Sequence, residues 1–227
     1  MSIATFSCIL AIGAMCNLRD KEIDKIKCMK FEFYRGYANP LATGELSEDE
    51  CRKIILLLVL ITLLSGLLIA FTFNIINFLL CVLAFVTGLV YIYVNRVIIG
   101  NAFQGIAIYT YVTAICYPTI TLDIIILAFF LSFYWISHNI NNQIEDFEVE
   151  YGFENTVATV YGIRKAKIIG LLFLSFSTIG VVFYPFLVIP ILVLFVTYIV
   201  NNKIIQEKLR KINFIILPLI IYIYIYI

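Results

Sequence analysis

The chain has 227 residues, of which 63% are hydrophobic and 14% are charged, and its formal net charge is +1. Soluble domains are near half apolar and a quarter charged, so this composition excludes a soluble domain and indicates a membrane protein with several helices. The near-zero charge also argues against a nucleic-acid partner, because a phosphate-binding surface needs a clear excess of cations.

Apolar runs separated by polar stretches predict an all-α fold, a polytopic transmembrane helix bundle of about eight helices. Open strand edges cannot be satisfied in lipid, so the Ile-Tyr alternation at the end of the chain is also interpreted as helix. The predicted spans are 1–16, 54–73, 76–94, 102–117, 120–137, 168–184, 186–201 and 213–227. No linker or low-complexity break separates them, and we therefore expect a single membrane-embedded domain over residues 1–227.

The charged residues fall almost entirely on one side of these spans. Of the 31 charged residues, 30 lie in the stretches 19–53, 96, 145–167 and 203–211, which alternation of the spans places on the same side. The opposite side carries only Asp123. Lys and Arg concentrate on the cytoplasmic side of membrane proteins. The sequence therefore predicts a multi-pass protein of the cell membrane whose polar segments face the cytoplasm.

Two polar octets, 17–24 and 143–150, lie 126 positions apart and have the same pattern of residue types: amide, aliphatic, charged, Asp, any, Glu, aliphatic, acid. On a helix, the first, fourth and eighth residues of each octet share a face. These residues are Asn17, Asp20 and Asp24 in the first octet and Gln143, Asp146 and Glu150 in the second. The repeated register predicts two rows of oxygen ligands.

Such rows suit a hard divalent cation, and Mg²⁺ prefers one or two carboxylates together with phosphate oxygens. Two rows would therefore hold a diphosphate through Mg²⁺. The alternative is that each octet is a solvated helix end whose acids pair with neighbouring Lys and Arg, although the repeat favours the ligand interpretation. Arg96 is the only charged residue between Lys53 and Asp123, and we expect it to bind the diphosphate directly.

A capping box is predicted at the start of the second span, with Ser47 as the cap and Glu50 reaching back to it. The preceding loop, 25–46, contains four aromatic residues between positions 31 and 37. This loop either forms a lid over the site or lies in the membrane interface.

The motifs resemble those of the UbiA superfamily of intramembrane prenyltransferases, which carry two Asp-rich motifs on separate helices. The family's first motif, Asn-Asp-x-x-Asp-x-x-x-Asp with a later Pro-x-x-Ser-Gly-x-(Ile/Leu)-Ser, resembles 16–24 and 40–47. Its second motif, Asp-x-x-Asp-x-x-x-Asp with a later Thr-Leu-Pro-x-x-x-Gly-x-x-x-Ala, resembles 143–150 and 156–166. A family element with Tyr, a nearby Lys or Arg, and Gly-Asn resembles 91–101. The matches run in order over about 150 residues.

The resemblance implies a bundle of nine helices, and the eight predicted here fit if the family's first helix is absent. Several positions depart from the family pattern. Cys16 stands where the first motif usually begins with Asn, Asn17 and Gln143 each replace an Asp, Glu150 replaces another Asp, and Asn39 replaces an Arg before the Pro of the first loop.

By this resemblance, Mg²⁺ is the cofactor, and a polyprenyl diphosphate and a lipophilic acceptor are the partners within membrane lipids. The expected catalytic and metal-binding residues are Asp20, Asp24, Asp146 and Glu150. The expected substrate-binding residues are Asn17, Tyr91, Arg96, Asn142, Gln143 and Lys165. The sequence leaves the oligomeric state open.

The acceptor is the least determined part of the prediction. The first expectation is an archaeal-type glycerophosphate ether lipid, geranylgeranylglyceryl phosphate, because a composition rich in Ile, Tyr and Lys favours it slightly. The alternatives are an aromatic or quinone-precursor acceptor, a carotenoid acceptor, or a degenerate homologue that binds lipid without catalysis. A cation carrier is disfavoured, because carriers place ionisable groups near the middle of the bilayer.

Overall fold

The computed structural model of the chain describes residues 2–30, 39–72, 75–94, 96–116, 120–200, 204–206, 208–209 and 212. Within these ranges the structure is helical and contains no strand. The chain divides into two compact units, Met1–Val94 and Asn95–Ile227, and each unit contains one of the two acidic octets.

Within its described residues the first unit contains four helices, and α1 packs against the other three. They are α1 (Ser2–Lys30), α2 (Pro40–Thr43), α3 (Glu48–Thr72) and α4 (Ile75–Tyr93). The sequence predicted that the first apolar span ends at residue 16, but α1 continues to Lys30. No Gly or Pro interrupts the chain between positions 14 and 30, so the helix continues through the first octet.

The predicted capping box at the start of α3 is confirmed. The backbone N–H and the hydroxyl of Ser47 both donate to Glu50 Oε2, at 2.9 and 2.7 Å, and the Glu50 N–H donates to Ser47 Oγ at 3.3 Å. Glu48, Asp49 and Glu50 fill the first turn, where negative charge interacts favourably with the helix dipole.

The second unit is organised around one long helix, α6, which packs against α5 and α9. Its inner face, including Leu127, Ala128 and Leu131, is buried. The helices of this unit are α5 (Ile98–Cys116), α6 (Leu122–Glu145), α7 (Phe147–Glu150), α8 (Val157–Tyr161), α9 (Ile163–Ile179) and α10 (Val188–Ile199), with single 3-10 turns at Gly180–Val182 and Pro185–Leu187.

Three helical segments of the described residues are long and apolar enough to cross a membrane: Glu48–Leu68, Leu122–Glu145 and Ile163–Val182. Large apolar side chains on α3, such as Leu64 and Leu68, are exposed. Because a soluble protein rarely exposes a continuous apolar surface, this helix face is suited to contact with lipid.

The predicted fold class, an all-α helical membrane bundle, is confirmed. Seven of the eight predicted spans correspond to helices, namely α1, α3, α4, α5, α6, α9 and α10. The eighth span, 213–227, lies outside the described residues, as does the aromatic part of the 25–46 loop. The expectation of a single domain that lacks the family's first helix stays a prediction.

The contact between α9 and α10 depends on a residue without a side chain. Tyr198 on α10 is buried, and its hydroxyl donates to the backbone oxygen of Ser137 at 2.6 Å. A Cβ added at Gly170 on α9 would collide with the Tyr198 ring and hydroxyl. Gly170 therefore makes room for the tyrosine that ties α10 to α6.

We predict that Gly170→Ala lowers the free energy of unfolding by about 1–3 kcal/mol, because the added methyl group overpacks this contact. Reversible denaturation in mixed micelles measures the change. Gly13→Ala is the matched control, since a Cβ there meets no atom within 4 Å. Equal stability of the two variants would contradict the proposed role of Gly170.

Candidate active site

The first octet lies on α1, so the predicted helical row of Asn17, Asp20 and Asp24 is confirmed. The side chains of Asp20 and Asp24 are about one fifth exposed, at 21% and 22%, whereas Asn17 is exposed. Two carboxylates one helical turn apart on one face are therefore partly accessible to a ligand.

Both carboxylates have a cation nearby, but the distances are long. Arg19 Nε lies 3.6 Å from Asp20 Oδ1, and Lys27 Nζ lies 3.6 Å from Asp24 Oδ1. Arg19 also forms a hydrogen bond with the backbone, since its Nη1 donates to the backbone oxygen of Ile92 at 2.6 Å. This bond joins α1 to the end of α4, where the neighbouring Tyr91 is buried.

Two shorter ion pairs of this unit involve other acids. Lys25 Nζ lies 2.9 Å from Glu22 Oε1, and Lys21 Nζ lies 2.7 Å from Glu48 Oε1. The hydrogen bond to Glu48 raises the pKa of Lys21 above its usual value. The alternative interpretation, in which octet acids form ordinary helix-end ion pairs, therefore fits Glu22.

Asn39 connects the end of the first loop to the acidic row. It is buried, and its Nδ2 donates to the backbone oxygen of Asn17 and, at 3.0 Å, to Asp24 Oδ2. Its Oδ1 accepts from the Leu41 N–H at 3.0 Å and so caps α2. Asn39 therefore orients Asp24 while it starts the next helix, and sequence reasoning had recorded it only as a departure from the family pattern.

The second octet is not one continuous helix, in contrast to the prediction. Helix α6 ends at Glu145, and α7 begins at Phe147. Asp146 between them keeps a right-handed conformation (φ −87°, ψ −2°). Its backbone N–H donates to the backbone oxygen of Asn142 at 3.0 Å, and its backbone oxygen accepts from the Glu150 N–H at 3.0 Å. The helical path thus continues across a local break at the central aspartate.

The residues of the second octet differ in exposure. Gln143 and Glu150 are each 3% exposed, whereas Asp146 is only partly buried. Asn142 is partly buried too, and its Oδ1 accepts no hydrogen bond from the part of the chain that the structure describes. Asp146 is therefore the partly accessible residue of this row, whereas the Oδ1 of Asn142 is a buried acceptor that the described residues leave unused.

The two predicted diphosphate-binding cations, Arg96 and Lys165, differ in burial and in their neighbours. Arg96 Nη1 lies 3.6 Å from Glu154 Oε2, and both side chains are 12% exposed. Lys165 is exposed in the first turn of α9. Arg96 therefore has an acidic neighbour at ion-pair distance, whereas Lys165 is exposed. Sequence reasoning missed Glu154, because nothing in the pattern links positions 96 and 154.

Gln143 forms hydrogen bonds through both the nitrogen and the oxygen of its side-chain amide. Its Nε2 donates to Asn101 Oδ1 at 3.3 Å, and its Oε1 accepts from the Val157 N–H at 3.0 Å. The structure thus places this predicted ligand in a protein network. Sequence reasoning gave Asn101 no role of its own, although an amide in the apolar sequence of α5 is a signal for a buried hydrogen-bonding site.

In neither unit do the described His, Cys, Asp and Glu residues form a group of three or more that could hold a metal ion. Mg²⁺ needs no such group, because it typically uses one or two carboxylates and completes its coordination with water and substrate phosphate. The pairs Asp20 with Asp24 and Asp146 with Glu150 are donor sets of this kind. The residues present therefore fit Mg²⁺ bound together with a diphosphate.

A model described as the UbiA prenyltransferase family matches residues 1–213. The chain belongs to this family. No curated protein and no solved structure gives a significant match. UbiA proteins are membrane prenyltransferases that use a prenyl diphosphate, a lipophilic acceptor and, in general, a divalent metal, so family membership supports a transferase role for this chain.

We predict that Asn39 and Asp24 are energetically coupled. A double-mutant cycle with Asn39→Ala and Asp24→Ala should give a coupling of about 1 kcal/mol in the free energy of unfolding, because the two side chains share a hydrogen bond. Denaturation in mixed micelles provides the four values. The control cycle pairs Asn39→Ala with Asp20→Ala, whose effects should add to within about 0.5 kcal/mol. Additivity in both cycles would contradict the assigned contact.

Proposed function

We propose that this UbiA protein is a Mg²⁺-dependent intramembrane prenyltransferase that transfers a polyprenyl group from its diphosphate to a lipophilic acceptor. The observation that carries the proposal is the recurrence of the acidic octet, in register, in both units of a chain that belongs to a prenyltransferase family. A scaffold without a ligand would leave both acidic rows unexplained.

Asp20, Asp24, Asp146 and Glu150 are the proposed metal-binding residues. When bound, Mg²⁺ neutralises charge on the diphosphate as the allylic C–O bond breaks. The acidic residues hold the diphosphate end of the donor only through the metal, since carboxylates and phosphates repel each other directly.

Five of the six predicted substrate-binding residues are proposed to act on the substrate. Arg96 and Lys165 stabilise the negative charge that develops on the leaving diphosphate. Asn17 and Asn142 contribute polar contacts, and the ring of Tyr91 stabilises positive charge on the allylic group. Because Glu154 restrains Arg96, this cation is oriented before the substrate arrives, and less ordering is needed on binding.

The proposed reaction joins the prenyl group to an oxygen or carbon nucleophile of the acceptor. The allylic C–O bond breaks, the electron pair leaves with the diphosphate, and the acceptor attacks the resulting cation and releases a proton. Exclusion of water is essential, because water would capture the same cation. The apolar helices accommodate the prenyl chain.

The proposed acceptor is a glycerophosphate ether lipid, geranylgeranylglyceryl phosphate, with geranylgeranyl diphosphate as the donor. A composition rich in Ile and Tyr slightly favours this acceptor or a quinone-type acceptor, and we rank the ether lipid first. The chain is proposed to cross the cell membrane several times with its acidic segments towards the cytoplasm, because 30 of its 31 charged residues fall on one predicted side.

We predict that membranes containing the protein transfer label from radiolabelled geranylgeranyl diphosphate in the presence of Mg²⁺ and lose this activity in EDTA. Asp20→Asn and Asp146→Asn should each lower the rate about 100-fold or more, because each removes charge stabilisation from the leaving group. Asp49→Asn is the matched control. Asp49 is an exposed acid in the first turn of α3 and should tolerate the change with less than a twofold effect.

The acceptor is identified by offering geranylgeranylglyceryl phosphate, aromatic quinone precursors and carotenoid precursors in separate reactions. We expect the glycerophosphate ether to give the labelled product. Product with another acceptor would overturn the acceptor assignment and leave the transferase function intact. Failure to turn over donors of several chain lengths with every acceptor would overturn the enzyme proposal and favour a lipid-binding homologue.

A further inference from the structure

At one end of α5 and α6, hydrogen bonds to backbone atoms determine how the buried side-chain amides are oriented. Asn101 is fully buried, and its Nδ2 donates to the backbone oxygens of Arg96 and Val97, both at 3.0 Å. A carbonyl oxygen can only accept a hydrogen bond, so the NH₂ group of Asn101 must point to these two atoms. Its Oδ1 is thereby directed to the opposite side.

Two other amides bind this oxygen. Asn101 Oδ1 accepts from Asn139 Nδ2 at 2.8 Å and from Gln143 Nε2 at 3.3 Å. Since Gln143 must present its NH₂ group to Asn101, its Oε1 points away and accepts from the Val157 N–H at 3.0 Å. A backbone N–H can only donate, so the direction of the network is determined at both ends.

We propose that Gln143 is a positioning residue that joins the start of α8 to α5, and that it is not a ligand of Mg²⁺ or of the diphosphate. Gln143 occupies a row position at which the resembling family motif has an aspartate. A carboxylate at this position would place an oxygen against Asn101 Oδ1, which cannot donate. The network therefore accounts for an amide at position 143.

The contacts around Gln143 form a closed ring that includes the proposed diphosphate-binding arginine. Asn101 holds the backbone of Arg96, and the Arg96 side chain lies 3.6 Å from Glu154. Glu154 is three residues before Val157, whose N–H returns to Gln143. By binding the Val157 N–H, Gln143 restrains the end of the segment that carries Glu154 and, through Glu154, positions the guanidinium of Arg96.

This inference rests on the proposed function for its effect on catalysis, but its structural part can be measured without turnover. Gln143→Glu keeps the size of the side chain and removes the donor. In purified, Mg²⁺-free protein, amide hydrogen exchange of the 156–162 segment should be at least about fivefold faster in this variant, because repulsion between the carboxylate and Asn101 Oδ1 displaces the side chain that accepts from the Val157 N–H. Gln104→Glu makes the same change on α5 and is the control. Gln104 Oε1 accepts no hydrogen bond within the described ranges, and exchange at Val157 should be unchanged.

The response to Mg²⁺ separates positioning from coordination. If Gln143 were a ligand, Gln143→Glu would add a carboxylate and lower the Mg²⁺ concentration needed for half-maximal activity. As a positioning residue, it should give a lower rate, by about tenfold or more, with no decrease in that concentration. Gln143→Asn is a milder second variant, because it keeps the amide but is too short to reach both partners, and it should also accelerate exchange.

Unchanged exchange at Val157 in both variants, or a lower Mg²⁺ requirement in Gln143→Glu, would overturn the inference. Absence of transferase activity in the unaltered protein would overturn the proposed function instead. The exchange measurement on Val157 would still decide whether Gln143 positions α8.

Discussion

Hydrogen bonding of buried amides is the constraint on which the polar ends of the helices depend. An amide removed from water is costly unless its donors and acceptor find partners, and in apolar surroundings those partners must come from the protein. Asn101 meets this requirement with two backbone carbonyls and two side-chain amides. The backbone oxygens can only accept and the Val157 N–H can only donate. The hydrogen bonds of Asn101 and Gln143 therefore have one orientation, which also specifies the geometry of the second acidic segment.

The two units solve a similar problem with different residues. In the first unit, Asn39 binds Asp24 and caps α2, so one buried amide ties the acidic row to a short helix. In the second unit, Gln143 on the row itself binds Val157 at the start of α8. In both cases the amide binds at the start of the short helix and so determines where that helix begins. The repeated octet therefore corresponds to a repeated structural task, although the residue that performs it differs.

Apolar runs were sufficient to predict the helices, because a membrane helix needs a long uninterrupted stretch of such residues. The ends of the helices were harder to predict. Helix α1 extends beyond its apolar run because nothing in the sequence stops it, and the helical path through the second octet breaks at Asp146 although no Gly or Pro indicates this. The pattern also treated Asn17 and Gln143 as equivalent, whereas one is exposed and the other is buried. Burial depends on packing against α5 and α8, which periodicity within one segment does not contain.

The departures from the family pattern leave carboxylates at the positions proposed to bind Mg²⁺. Asn39 and Gln143 both stand where the family usually has a charged residue, and both now bind protein groups. At the row positions four carboxylates remain, two in each octet, and two per octet match the one or two that Mg²⁺ takes beside phosphate oxygens. Glu150 is buried, which is costly for a charged group unless a cation or hydrogen bonds compensate. The amides at positions 39 and 143 thus bind protein groups, and the carboxylates at the row positions remain for the proposed metal.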